Sequence, residues 1–118
     1  MVDKPHLDEE ALSELQDVME FEFETLIQTY LNDSEERIES LKGASLDGDS
    51  DIFAKTAHSF KGSCINIGAP RLGELCQEAE KIGQHGSLND ASPILEAIEA
   101  EFQRVTDALN ILMARGAG

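Results

Sequence analysis

Apolar residues recur at spacings of three and four along nearly the whole chain, and those spacings predict helices. No run alternates strictly enough to predict a strand. The first segment, about 8–19, carries Leu12, Leu15 and Met19. Asp8, Glu9 and Glu10 put negative charge at its N-terminal turn, where the helix dipole favours it. The second, about 22–42, aligns Phe23, Ile27, Tyr30, Ser34, Ile38 and Leu41, widened by Leu26 and Leu31. The third, about 50–67, aligns Phe53, Ala57, Phe60, Cys64 and Ile67. The fourth, about 70–85, aligns Leu72, Leu75, Cys76, Ala79 and Ile82, with Pro70 suited to a first helical turn. The fifth, about 91–113, opens on Ser92-Pro93, a cap and a first-turn proline, and continues through Leu95, Ile98, Phe102, Val105, Leu109 and Leu112.

Breaks fall at Pro5, at Gly43 to Gly48, at Gly68-Ala69-Pro70 and at Gly86 to Pro93. They are short, and short connections make sequential helices antiparallel. The pattern predicts an all-α fold, an up-down antiparallel four-helix bundle whose short first helix caps one end. At 118 residues the chain predicts one domain over 1–118, with an ordered core of about 8–114. That length buries a core without disulfides or metal.

Charge narrows the partners. The net charge is −15, and residues 1–51 hold 16 Asp and Glu against 3 Lys and Arg. So acidic a chain is repelled by nucleic acid and by anionic membrane surfaces, and neither is an expected partner. Much of the acidity serves only to solvate helix faces. Cys64 and Cys76 lie on apolar stripes and read as buried free thiols in a reducing cytoplasm. The N-terminus shows no basic stretch followed by an apolar run, and no segment is long enough to cross a bilayer.

The candidate chemistry lies on the third helix. Beside its core stripe, about 100° around the helix, run Ala54, His58, Lys61, Gly62 and Ile65. His58 therefore sits at the boundary of the core. Ala54 one turn before it and Gly62 one turn after it leave the imidazole uncovered. Glycine inside a helix costs roughly 1 kcal/mol relative to alanine, so Gly62 asks for another reason, such as close approach by another molecule. A neutral imidazole offers one nitrogen for attack on phosphorus, and Lys61 can offset phosphoryl charge. On the fourth helix Gly73, Gln77, Glu80 and Gln84 form a matching polar stripe. If the two helices pack antiparallel, Gln77 or Glu80 faces His58, and a carboxylate there fixes the tautomer.

The run Ala57-His58-x-x-Lys61-Gly62-Ser63, then Ile67-Gly68-Ala69, Leu72, Leu75-Cys76 and Glu80, resembles the histidine-containing phosphotransfer domain family. The motif covers about a fifth of the chain, and the bundle pattern extends the likeness over nearly all of it. One departure is Phe60, where the family commonly has an aliphatic residue. The resemblance implies that His58 is the phosphoacceptor through Nε2, that Lys61 lies near the phosphoryl group, and that Gly62 gives the partner room. It implies that Gln77 and Glu80 lie close to the ring, with Glu80 the orienting acceptor. It also implies a stand-alone phosphorelay intermediate of two-component signalling, exchanging phosphate with receiver domains of a hybrid sensor kinase and of response regulators. Mg²⁺ would come with the receiver. The chain has no Gly-rich nucleotide loop, so no kinase activity of its own is expected. Ile65 is the best docking candidate, with Leu12, Leu15 and Met19 weaker ones that could equally cap the core. A monomer is expected.

His6, in an N-terminal end expected to be disordered, and His85, near a helix end, read as incidental. A metal-binding bundle is disfavoured: Lys55 and Ile82 stand three before His58 and His85, where di-iron bundles have Glu, and the two cysteines are too far apart for a clustered pair. The remaining rival is a helical interaction bundle that binds a partner without taking phosphate, in which His58 is dispensable.

Overall fold

A computed structural model describes residues 5–116, and the expected 1–118 domain extends beyond them at both ends. The all-helical expectation holds: among the described residues there is no strand. The helices are α1 (Glu9–Met19), α2 (Phe21–Asp47), α3 (Ser50–Ile67), α4 (Pro70–Gln84) and α5 (Ala91–Gly116), with a 3-10 turn at Leu88–Asp90 before α5.

Local chemistry sets most of the ends. Asp8 caps α1 by accepting from the Ala11 amide at 3.1 Å, and Asp49 caps α3 by accepting from Ile52 at 3.1 Å. Pro70 opens α4. Gly68 closes α3 in the left-handed region at φ 81°, a conformation that L side chains rarely adopt. The following Ala69 amide donates back to the Cys64 carbonyl at 2.8 Å, satisfying a free carbonyl of the last turn.

Two boundaries differ from the sequence reading. α2 does not stop near Lys42 but runs through Gly43 to Asp47. Ala44 continues the Ile38–Leu41 stripe and is buried, so packing outweighs the weak helix preference of one glycine. α5 starts at Ala91, so Ser92 is not its cap. The 3-10 turn runs straight into the helix and buries Ala91 in the core. One residue, Glu20, separates α1 from α2, at φ 52° and ψ −109°.

α2 packs on α3 and α5, and α4 packs on the same two helices, so the four enclose one core. Phe23, Phe53, Phe60, Leu72, Ile98 and Leu109 fill it. α3 and α4 run antiparallel: Gly83 lies against Ala54, and Gly73 against Cys64 and Ile65.

Residues 6–8 are tied to the bundle, so this stretch is not the disordered end the sequence suggested. Leu7 is buried, and the Asp8 amide donates to the Gly68 carbonyl at 2.7 Å. His6 is not incidental: its Nδ1 pairs with the carboxylate of Glu101 on α5. Glu101 is almost wholly buried, and a buried carboxylate needs compensating charge and donors. Arg71 and Arg104 approach its other oxygen, each at 3.5 Å. His85 ends α4, exposed to solvent.

Candidate functional site

The site is built where α3 and α4 lie side by side. The His58 side chain is 67% exposed, and its Nδ1 lies 2.8 Å from Glu80 Oε2 on α4. The Lys61 ammonium, one turn further along α3, donates to Glu80 Oε1 at 2.9 Å. Gln84 reaches Oε2 at 3.5 Å from one turn further along α4. One carboxylate thus holds both neighbours, each on its own oxygen.

Glu80 is only 14% exposed and Lys61 23%, so the pair lies under the rim while the imidazole stands above it. The hydrogen bond from Lys61 is the main cause that holds the Glu80 carboxyl below the usual carboxylate range; the bond to His58 adds to it, and burial opposes it. Glu80 is therefore an ionised acceptor at neutral pH. A carboxylate that only accepts requires the proton on Nδ1, which leaves Nε2 of the neutral ring with a free lone pair.

The other expected site residues fall in different places. A Cβ built on Gly62 meets nothing within 4 Å, so the helix surface one turn beyond His58 is open. Ala54 is half-buried and faces Gly83 on α4. Ile65 is 62% exposed on the His58 side of α3. Gln77 is exposed on α4, three residues before Glu80, and is not among the ring's hydrogen-bond partners. Leu12 is buried and packs near Gly68, so it offers a partner no surface; Leu15 and Met19 are half-buried against the core. Core burial accounts for Leu12, whereas Leu15 and Met19 combine packing on the core with partial exposure.

Cys64 and Cys76, distant in sequence, are brought together in the core, where both remain free thiols. The Cys64 sulfur beside it and burial both push the Cys76 thiol upward. The Tyr30 hydroxyl lies 3.4 Å from Cys64 Sγ, and burial pushes that phenol up as well. Among the described residues no group of three or more His, Cys, Asp or Glu is arranged to hold a metal ion. No described helix is long and apolar enough to cross a membrane.

Gly83 was not singled out by the sequence. Its contact with Ala54 becomes visible once the two helices are paired.

The family model of the Hpt domain matches residues 25–108 of this chain. Among solved structures, the crystal structure of histidine-containing phosphotransfer protein B (HptB) from Pseudomonas aeruginosa PAO1 is 39% identical, with a TM-score of 0.85, and the match covers 98% of this chain and 97% of that one. A comparison with curated proteins finds no match.

Proposed function

Given that this chain belongs to the Hpt domain family and acts in two-component phosphorelay, we propose that His58 is its phosphoacceptor and that Glu80 and Lys61 complete the reacting group. The Nε2 lone pair attacks the phosphorus of an aspartyl phosphate on a receiver domain. The N–P bond forms as the P–O bond to the aspartate breaks, and the aspartate leaves as carboxylate. The Nδ1 proton stays on the ring, which becomes cationic and is stabilised by the ionised Glu80 2.8 Å away. Attack by a receiver aspartate reverses each step. Lys61, held beside the ring by Glu80, offsets the charge of the arriving phosphoryl group. The receiver would bring Mg²⁺ with its own acidic site.

The observation that carries this reading is the exposed imidazole whose inner nitrogen is bonded to a half-buried, ionised carboxylate. The partners within the family's receiver class would be receivers of a hybrid sensor kinase and of response regulators, docking around Gly62 and Ile65. We read the fold as an up-down antiparallel four-helix bundle capped by α1. The closed ring of helix contacts and the antiparallel α3–α4 pair support it. The monomeric state and the cytoplasmic location belong to the same proposal, the latter in keeping with two free thiols.

The test incubates the protein with a panel of phosphorylated receivers. An acid-labile, alkali-stable label that disappears in His58→Gln is the expected result. Wild-type protein that takes no label from any receiver would leave the non-phosphorylated interaction bundle as the reading.

A further inference from the structure

α3 and α4 come close together at one glycine. A Cβ on Gly83 would stand 2.8 Å from the backbone nitrogen of Ala54 and 2.9 Å from its Cα and Cβ. Two of those atoms are backbone, so no side-chain rotation relieves the clash. The two helices must part by roughly half an ångström before a methyl fits, because helix interiors are close-packed.

This crossing lies directly beside the reacting group. Ala54 is one turn before His58 on α3, and Gly83 is one turn after Glu80 on α4. Antiparallel packing therefore stacks the 54–83 contact next to the 58–80 contact. At the other end of the seam a Cβ built on Gly73 would meet Cys64 and Ile65 at ordinary van der Waals distance, each at 3.6 Å. Glu80 sits between these two glycine contacts and bonds across the seam to both His58 and Lys61. Its reach is set by how close α4 lies to α3, and the 54–83 crossing sets that distance.

We propose that Gly83 is a positioning residue for phosphotransfer: it lets α4 approach the backbone of Ala54 so that Glu80 can hold the His58 ring in the Nδ1–H tautomer. The inference rests on His58 being the acceptor. Gly83 itself touches neither the ring nor the phosphoryl group and acts through Glu80 alone. Ala54 is then the other half of this spacer, and the open access to the ring comes from the Gly62 side.

The experiment compares wild type, Gly83→Ala, Glu80→Ala and the Gly83→Ala/Glu80→Ala double variant. Nitrogen-15 NMR of the imidazole reads the tautomer, and a phosphorylated receiver supplies label for transfer rates. Gly83→Ala is expected to raise the Nε2–H tautomer and to slow transfer about ten-fold, since small misplacements of a reacting group carry costs of that order. In the Glu80→Ala background the same change is expected to have no further effect on either readout. A merely structural role would lower transfer in both backgrounds, and that result overturns the inference. A wild-type tautomer in folded Gly83→Ala also overturns it. Should Gly83→Ala fail to fold, Ala54→Val, which keeps Gly83 and adds bulk to the side chain on the other side of the same contact, carries the same readouts. It is expected to fall between wild type and Glu80→Ala, and a wild-type signature there is equally decisive against. The imidazole signal needs no phosphate, so it judges the positioning role even if no receiver labels His58.

Discussion

Replacing Gly62 with glutamine separates stability from function. Gly62 lies inside α3, and a Cβ there meets nothing within 4 Å. No neighbour must move, so the local change is the helix preference alone. Relative to glycine, glutamine gains somewhat under 1 kcal/mol at an exposed helix interior. For a domain of this size that raises Tm by about 2–4 °C. The same side chain stands one turn from His58, where a receiver must bring its aspartyl phosphate within bonding distance of Nε2. Transfer is therefore expected to fall by about a hundred-fold or more, since the reacting atoms must come within about 3–3.5 Å. Thermal unfolding by circular dichroism and label transfer from a phosphorylated receiver read the two effects. Gly43→Ala is the matched control: it too is a helix-interior glycine with nothing within 4 Å of its Cβ, so it gains a similar stability and leaves transfer alone. A Gly62→Gln protein that transfers at the wild-type rate refutes the access argument. One that loses stability refutes the open-space argument.

Lys61→Ala is expected to slow transfer or shorten the life of the phosphohistidine several-fold while receiver binding is largely kept; stopped transfer assays and label decay check this, and no change in either reduces Lys61 to a partner of Glu80 only. Acid stability tests Glu80. Its folded pKa lies below the usual value of 4.5, so the unfolded chain binds more protons, and the stabilisation is present above that value and lost as pH falls below it. Denaturant unfolding of wild type and Glu80→Gln between pH 6 and pH 3 is expected to show the gap between them shrinking with falling pH; a constant gap would contradict the depressed carboxyl.

The helices and their buried faces were legible because period and burial coincide. Phe53, Ala57, Phe60, Cys64 and Ile67 all point inward as their spacing requires. His58, Lys61 and Glu80 were legible because each sits one step off such a stripe. What phase alone could not supply was distance between helices. The spacing of 54–58 on one helix and 80–83 on the other says nothing about how near they lie, so nothing in the sequence pattern draws attention to Gly83. The His6–Glu101 pair spans 95 positions, and no local pattern joins its members. Gly43 misled for the opposite reason: its local preference marks a break, and the burial of Ala44 overrides it.

The depth at which Glu80 lies has a wider consequence. The ring proposed to meet a visiting receiver is on the outside, while the acid that orients it sits half-buried beneath, in the seam between α3 and α4. Readiness is thus a private property of the bundle, maintained whether or not anyone is docked. On the proposed reading a visitor supplies geometry, phosphate and its Mg²⁺ site, and need not assemble the contact that orients the ring. Successive visitors of different shape meet the same prepared nitrogen, so the choice among them rests with the surrounding surface.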